Sequence, residues 1–421
     1  MEISYAQILI WIAYFVSLYL VIFWLLTFLE KGVWLKKRRI ERFPLVSVAV
    51  PVWNEEGNIS LTLDSLVNLN YPRDKLEIFV VNDCSTDNSK GEILNYIQNY
   101  KGVNIIYLEN EVNSGKYFSV NKALRLANGE FFVCLDADSV VEPEALNKML
   151  PHFDYDDQLA VVLPLMKIAA PENTLQKIQW CEYLLNFFYK SLMSMIDCVH
   201  VAPGPFSVYK KEILVKIGGI RKAHHTEDFE VSLRLQRNHY RLLQVLDAEV
   251  YTKPPKNLKD FYRQRNRWYK GTMLNLFDYK RMIFSKKYGD FGMLQLPRVF
   301  LSGFLAVGLI GFTSYRYILK PLWKKIWNWS AINFDFSVWF QNFHLSFNWL
   351  KINYMNGFFF LVSITLGLII VLYAYKFTRE KVFKYGFITV PAYVILYGFM
   401  ASIVWCGVFF DLLFKRKKLK W

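Results

Sequence analysis

The chain contains two kinds of segment, long uncharged apolar runs and stretches in which short apolar runs are separated by polar residues. The run at 3–29 carries no charge, and as a helix with a rise of about 1.5 Å per residue it would cross a hydrocarbon core of about 30 Å. Three more uncharged runs follow at 299–315, 352–375 and 385–410, the first of them near the short limit for a crossing. The pattern predicts membrane-spanning helices at both ends of the chain.

The stretch from 43 to about 288 has the pattern of an α/β domain. Short runs rich in β-branched residues predict strands, and stretches with helical period predict helices between them. The predicted strands are Val46–Val52, 77–83, Asn104–Glu109 and 130–136, and the predicted helices are 54–68, 88–99 and 115–128. Because strands and helices alternate, we expect a largely parallel sheet wrapped by helices, with ligands bound beyond the carboxyl ends of its strands.

Composition supports a protein that is partly soluble and partly embedded in a membrane. Hydrophobic residues make up 53% of the 421 residues and charged residues 21%, which is too apolar for an ordinary soluble domain. The formal net charge of +15 favours anionic headgroups or phosphorylated substrates as partners. Aromatic residues at 18% are typical of lipid-facing surfaces, so we expect a lipid bilayer and no nucleic acid as a partner.

The basic residues indicate orientation. Six of them follow the first apolar run, namely Lys31, Lys36, Lys37, Arg38, Arg39 and Arg42. The positive-inside rule places this flank in the cytosol. We therefore predict a multi-pass protein of the plasma membrane in three parts, with 1–42 as anchor and flank, 43–290 as a cytosolic domain, and 291–421 as membrane and interfacial helices.

Two features of the last part leave its topology open. Residues 322–350 are rich in Trp, Phe and Asn, which suits an interfacial helix or a loop at headgroup level better than a crossing. Four crossings would leave the basic tail at 415–418 outside the cytosol, against the positive-inside rule. A re-entrant first segment or a fifth crossing would return the tail to the cytosol.

Acidic residues follow two of the predicted strands. Asp83 ends the second strand, and Asp136 and Asp138 follow the fourth. Alternation along an extended chain turns Asp136 and Asp138 to the same side, where they could share a hard cation with a diphosphate. The structural alternatives are a helix cap for Asp83 and a chance Asp-x-Asp pattern in a loop.

Three further segments carry candidate chemistry. Lys116 follows Gly115 at the start of a predicted helix, a position suited to a phosphate oxygen. Thr226-Glu227-Asp228 opens another helix, where the acids could also serve only as a cap that complements the helix dipole. The segment from Gln264 to Trp268 lies on a basic helix, and its Arg and Trp side chains could instead simply lie at the membrane interface.

Together these residues resemble a known family. The order Asp83, Asp136-x-Asp138, Thr226-Glu227-Asp228 and Gln264-x-x-Arg267-Trp268 is similar to the signature of the family-2 processive glycosyltransferases, which include cellulose, chitin, hyaluronan and poly-N-acetylglucosamine synthases. Residues 48–56 resemble the first strand and nucleotide-binding turn of that family, and 203–205 resemble its acceptor segment. The resemblance covers about 44–275. It implies a Rossmann-like α/β glycosyltransferase domain of the GT-A fold, joined to an α-helical transmembrane bundle.

The resemblance also implies roles for individual residues. Asp228 would be the general base, with Glu227 and Arg267 as further catalytic residues, and Asp138 with Asp136 would hold Mg²⁺ or Mn²⁺. The acceptor, a glycan or a lipid, would contact Trp268, Gly204 and Pro205. The UDP-sugar donor would be bound by Pro51, Asn54, Glu55, Asp83, Lys116, Asp136, Gln264 and Arg267.

The implied activity is inverting transfer from a UDP-sugar to a growing β-linked polysaccharide, coupled to translocation across the membrane. The alternative is a single transfer to a membrane lipid, since ceramide glucosyltransferases carry a similar motif. A non-catalytic scaffold or transporter is disfavoured because every acid that the mechanism needs is present. One departure from the family is Lys253, where many relatives carry an acid, and hyaluronan synthesis is disfavoured by the acids that follow Asp228. Protein partners are not predicted.

Overall fold

The structure is a computed structural model, and it describes residues 5–31, 38–100, 102–331 and 354–414. Its strands are β1 Val46–Val52, β2 Leu76–Asn82, β3 Asn104–Glu109, β4 Phe131–Cys134, β5 Val140–Val141, β6 Leu159–Ile168, β7 Ser207–Lys210 and β8 Arg241–Thr252. Within the described residues they form one eight-stranded sheet in the order β3-β2-β1-β4-β7-β6-β8-β5.

The α-helices lie between the strands and at both ends of the chain. In the α/β domain they are α2 Ile59–Val67, α3 Ser89–Asn99, α4 Lys116–Leu126, α5 Ala145–Met149, α6 Thr174–Ser194, α7 Lys211–Lys216, α8 Glu227–Arg237 and α9 Leu258–Asp278. Outside it they are α1 Tyr5–Lys31, α10 Leu296–Ser314, α11 Lys320–Ser330, α12 Tyr354–Phe377, α13 Thr389–Ala392 and α14 Gly398–Leu413. Single π-helical turns at Phe291–Gln295, Tyr315–Leu319 and Tyr393–Tyr397 adjoin the last group.

The first half of the sheet is parallel, as the sequence predicted. Strand β1 lies between β2 and β4, and β2 continues the parallel pairing to β3. The strands at 46–52 and 104–109 have the predicted bounds, whereas the helix predicted to begin at 54 begins at Ile59. Asn54 and Gly57 have φ values of 54° and 78°, and a helix cannot continue through such left-handed residues.

The second half makes the sheet mixed. Strand β7 is antiparallel to both β4 and β6, β6 is parallel to β8, and β5 is antiparallel to β8. The expectation of a largely parallel sheet therefore holds for β1 to β4 and is wrong for the sheet as a whole. Strands β5 to β8 had no counterpart in the sequence prediction.

Three helical runs among the described residues are long and apolar enough to cross a membrane, namely Phe291–Ser330, Gly357–Phe377 and Thr389–Leu413. The apolar part of α1, Tyr14–Glu30, is shorter. Large apolar side chains project outward from these helices, among them Phe15, Leu361 and Ile403, and hydrocarbon is the environment that accepts such a surface.

The predicted interfacial segment at 322–350 is helical as far as Ser330. Its remainder, from 332 onward, and the basic tail at 415–418 lie outside the described residues.

The α/β domain and the membrane helices share one hydrophobic core. Trp180 of α6 packs edge-on against Tyr375 of α12 and Tyr385, with ring centroids 5.3 and 4.8 Å apart. In the same region, the buried Lys167 Nζ of β6 lies 2.8 Å from a carboxylate oxygen of Glu249 and 3.0 Å from one of Glu380, which follows α12. This packing fixes the domain against the helices.

Candidate active site

One cleft of about 1000 Å³ opens at the carboxyl ends of β1, β2 and β4. Every residue that the sequence proposed for the site lines it, that is Pro51, Asn54, Glu55, Asp83, Lys116, Asp136, Asp138, Gly204, Pro205, Glu227, Asp228, Gln264, Arg267 and Trp268. Residues separated by more than 200 positions along the chain therefore converge on a single cavity.

Asp83 organises one wall of this cleft. Its buried carboxylate accepts hydrogen bonds from Asn110 Nδ2 at 2.7 Å, from Ser114 N at 3.0 Å and from Gly115 N at 2.8 Å. These bonds hold the turn that begins α4, so they place Lys116, the first residue of that helix. The alternative of a cap on the helix that directly follows Asp83 does not apply, because its carboxylate bonds to the turn before α4.

A group of carboxylates also lines the cleft. The Lys116 ammonium pairs with Asp136. Burial, together with the neighbouring Asp136, raises the pKa of Asp138. Burial also raises the pKa of Glu55. A hydrogen bond from Asn58 opposes this rise, and the charges of Asp138 and Asp136 add to it. This crowding of negative charge is an environment that a cation would stabilise.

The described residues contain no group of three or more His, Cys, Asp or Glu side chains that could hold a metal ion alone. Asp136 and Asp138 nevertheless fit Mg²⁺ or Mn²⁺, since Mg²⁺ in nucleotide sites is bound by one or two carboxylates and takes its other oxygens from phosphate and water. A site of this kind is completed by the diphosphate of the ligand.

Asp228 lies at the first turn of α8 and faces the same cleft. Burial raises its pKa to about 6, and Glu227 contributes in the same direction, while Lys116 and Lys190 oppose the shift. Thr226 precedes the helix, but its hydroxyl accepts a hydrogen bond from Asn275 Nδ2 of α9 at 2.8 Å and does not cap α8. The contact ties α8 to α9.

Helix α9 carries Gln264, Arg267 and Trp268 along the cleft. Between them the fully buried Arg265 donates to Glu182 of α6 at 2.7 Å and stacks 4.2 Å from the centre of the Trp268 ring. Tyr397, in the last membrane run, donates to the other oxygen of Glu182 at 2.7 Å. The orientation of Trp268 therefore depends on a buried ion pair that connects three helical segments.

Comparison with known proteins identifies the domain. Residues 47–218 match the family described as Glycosyl transferase family 2. This part of the chain is similar to family-2 glycosyltransferases. The matched region begins in β1 and ends after α7, so it contributes Asp83, Lys116, Asp136 and Asp138 to the cleft, while Asp228 and α9 follow it in the chain.

Two bacterial proteins are similar in sequence to about half of this chain. The chain is 30% identical over 227 residues to poly-beta-1,6-N-acetyl-D-glucosamine synthase of Staphylococcus aureus strain MSSA476. It is 29% identical over the same length to the synthase of that name from Staphylococcus epidermidis. In both cases the aligned part is 54% of this chain and 54% of the relative, so the chain spans about half the length of these relatives.

A solved structure shows the fold. The mannosyltransferase PcManGT from Pyrobaculum calidifontis, in complex with GDP-Man and Mn²⁺, superposes with a TM-score of 0.56 at 19% identity. The match covers 89% of this chain and 98% of that one, so it includes membrane helices as well as the glycosyltransferase domain. The expected GT-A fold is confirmed.

Several residues of the cleft were not found from the sequence. Glu182, Lys190, His200, Arg265, Arg298 and Tyr397 all line the cavity. The sequence signal for Glu182 was its place as an isolated acid in the apolar stretch of α6. The signal for Arg298 was its place as a cation at the edge of an apolar, candidate membrane run. Lys253, the departure from the family pattern, lines the cleft and donates to Asn58 Oδ1 at 2.6 Å.

Gly204 supports the pair formed by Lys116 and Asp136. A Cβ atom at Gly204 would overlap the Lys116 ammonium and lie 3.1 Å from Asp136 Oδ2. Gly204→Ala should therefore displace this ion pair and weaken UDP binding roughly 10-fold, the effect of one charged hydrogen bond. Isothermal titration with UDP would measure the change, and Gly311→Ala is the matched control because its Cβ meets no atom within 4 Å. Unchanged UDP binding in Gly204→Ala would contradict the assignment.

Proposed function

We propose that the protein is an inverting glycosyltransferase that takes a UDP-sugar and extends a β-linked polysaccharide at the membrane. The observation that carries the proposal is the placement of Asp228, with its raised pKa, in one cleft with Asp136, Asp138 and Lys116. The names of the staphylococcal relatives support a polysaccharide product, and the GDP-Man and Mn²⁺ bound to PcManGT support a nucleotide-sugar donor.

In this proposal Asp228 takes the proton of the acceptor hydroxyl while that oxygen attacks the anomeric carbon of the donor. Attack occurs on the face opposite the nucleotide, so the C–O bond to the diphosphate breaks and the configuration inverts. Lys116 and Arg267 face the leaving diphosphate, and Trp268 supports the acceptor sugar. A divalent ion bound at Asp136 and Asp138 would neutralise charge on the diphosphate. Positioned base catalysis contributes about 10²- to 10⁴-fold, so charge stabilisation must supply much of the remainder.

The raised pKa of Asp228 predicts the pH dependence of turnover. Only the deprotonated carboxylate accepts a proton, so kcat/KM should rise with pH as pH passes through about 6, and level off above it. Initial rates measured between pH 5 and pH 8 would test this expectation. UDP binding over the same range is the control, because loss of donor binding would imitate loss of the base. A flat profile would contradict the assignment of Asp228.

Product length distinguishes a polysaccharide synthase from a single transfer. Purified full-length protein in lipid, supplied with radiolabelled UDP-sugars and Mg²⁺ or Mn²⁺, should yield a long polymer with one of the donors. A product with a single sugar on a lipid would contradict processivity while leaving glycosyl transfer intact. The absence of incorporation from every donor would contradict the proposed activity itself.

A lipid acceptor is the second candidate, and one observation favours it. The cleft is lined by Arg298 at the start of α10 and by Tyr397 before α14, so part of its wall belongs to candidate membrane spans. A lipid could therefore reach the neighbourhood of Asp228 from the bilayer.

We further propose that the protein is an integral, multi-pass protein of the plasma membrane with its catalytic domain in the cytosol. The three apolar helical runs support membrane insertion. The basic residues after the first apolar run support the cytosolic side, where UDP-sugars are available to the cleft. The division into 1–42, 43–290 and 291–421 belongs to this proposal.

A further inference from the structure

Two cations and a histidine that are not among the residues assigned to the donor line the cleft together. They are Lys190 on α6, His200 in the loop after α6, and Arg298 on α10, and all three line the cavity. Arg298 is the third residue of a helix that belongs to a candidate membrane span. We call this group the cationic corner.

Gln295 fixes the geometry of the cationic corner. This fully buried side chain receives a hydrogen bond on Oε1 from Arg298 Nε at 3.2 Å, and another from the Tyr189 hydroxyl at 2.9 Å. Because arginine only donates, the amide oxygen must face Arg298. The amide nitrogen then donates to His200 Nδ1, 2.7 Å away. His200 therefore keeps its ring proton on Nε2, where it is available as a donor.

The two cations of the cationic corner lie against aromatic rings. Within the described part of the chain, neither Lys190 nor Arg298 forms an ion pair. Lys190 Nζ lies 4.5 Å from the centre of the Phe187 ring, and the Arg298 guanidinium lies 4.6 Å from that of Tyr189.

Burial acts on both titrating members of the corner. It lowers the pKa of Lys190 to about 8, with Asp228 opposing the shift, and burial lowers the pKa of His200 with Arg298 and Lys190 contributing. Lys190, His200 and Arg298 are half-buried in the cavity wall, and an anionic occupant would stabilise the two cations there.

The position of the cationic corner indicates what kind of anion it would receive. Lys190 is close enough to Asp228 to be affected by its charge, so an occupant would lie near the proposed base. Trp24 of α1 packs edge-on against Tyr189 with ring centroids 5.1 Å apart, which places the corner between α1 and α10. Both helices carry exposed apolar side chains, along which a hydrocarbon tail could lie.

We propose that Lys190, His200 and Arg298 form a subsite for the phosphate group of a lipid acceptor. The inference rests on the proposed sugar transfer and adds the chemical class of the acceptor. The phosphate accepts hydrogen bonds from the three side chains, and a hydroxyl of the same lipid is presented to Asp228. The lipid then receives either one sugar or the first sugar of a polysaccharide.

Binding without donor tests this subsite separately from the reaction. The full-length protein in neutral lipid nanodiscs would be titrated with lysophosphatidic acid, with monoacylglycerol, which lacks the phosphate, and with inorganic phosphate. Lysophosphatidic acid should bind at least about 10-fold more tightly than either of the other two, because each charged hydrogen bond contributes about that factor. Arg298→Gln and Lys190→Gln should each weaken it about 10-fold and leave UDP binding unchanged.

Arg316→Gln is the matched control, since Arg316 is an exposed cation on the same helical run. Equal binding of lysophosphatidic acid and monoacylglycerol would overturn the proposal, and so would an equal loss in Arg316→Gln. Inorganic phosphate that binds as tightly as the lipid would mean a site for the free anion. A parallel loss of UDP binding in Arg298→Gln and Lys190→Gln would show that the cationic corner binds the donor instead. All of these measurements are of binding and none requires turnover. A failure of the lipid subsite can therefore be distinguished from a failure of the proposed sugar transfer.

Discussion

Asp228→Asn is expected to lower turnover by about 10²- to 10⁴-fold, the usual contribution of a positioned general base, while donor binding stays almost unchanged. The amide occupies the same volume at the first turn of α8 but cannot take the acceptor proton. Because Asp228 lines the cleft and its pKa is raised to about 6, a large share of the protein would carry the base form at neutral pH. The variant should therefore lose turnover and retain donor binding.

Two measurements separate these effects. Incorporation of radiolabelled sugar gives turnover, and isothermal titration with UDP gives donor affinity. Asp74→Asn, at an exposed position in the turn Arg73–Lys75 that does not line the cleft, is the matched substitution and should retain wild-type activity. Turnover close to wild type in Asp228→Asn would remove the base assignment. A matching loss of UDP affinity would assign Asp228 to donor binding.

Glu182→Gln is expected to destabilise the protein by about 3–5 kcal/mol, because it leaves the buried Arg265 guanidinium without a counter-charge. Arg265 is fully buried and pairs with Glu182 at 2.7 Å, and Tyr397 donates to the same carboxylate. The loss should appear as a lower unfolding midpoint of the purified protein in detergent. Since Arg265 stacks on Trp268, the variant should also weaken acceptor binding.

The control for Glu182→Gln is an exposed pair. Glu172 and Lys256 form an ion pair whose side chains are 68% and 70% exposed, so Glu172→Gln should change stability by no more than about 1 kcal/mol. The double variant Glu182→Leu with Arg265→Met should recover part of the loss, because both charges are removed together. An unfolding midpoint for Glu182→Gln equal to that of Glu172→Gln would show that the Glu182–Arg265 pair does not stabilise the protein.

The parallel half of the sheet was predictable because each of its strands is a short apolar run bounded by polar turns. Strands β6 and β8 were missed for a physical reason. All ten residues of β6 are buried, so the run lacks the alternation that distinguishes a strand from a buried helix segment. Strand β8 continues through the acids Asp247 and Glu249, and Glu249 pairs with Lys167 of β6, a distant part of the chain.

The convergence of the site was predictable because acids at the ends of parallel strands meet at one edge of a sheet. The structure brings Asp83, Asp138 and Asp228 to one cleft; their individual roles stay predictions. The sequence could not reveal the Glu182–Arg265 pair or the cationic corner, because each depends on how α6 and α9 or α10 pack together. Such contacts leave no local pattern of spacing.

The ion pairs of Lys167 have a consequence for handling the protein. Removing everything after residue 290 would take away Glu380, while Glu249 would remain beside the Lys167 ammonium. The same excision would strip Tyr375 and Tyr385 from Trp180 and expose that indole ring to water. An isolated fragment that ends at residue 290 should consequently aggregate, and solubilisation with the helices attached is the route to folded protein.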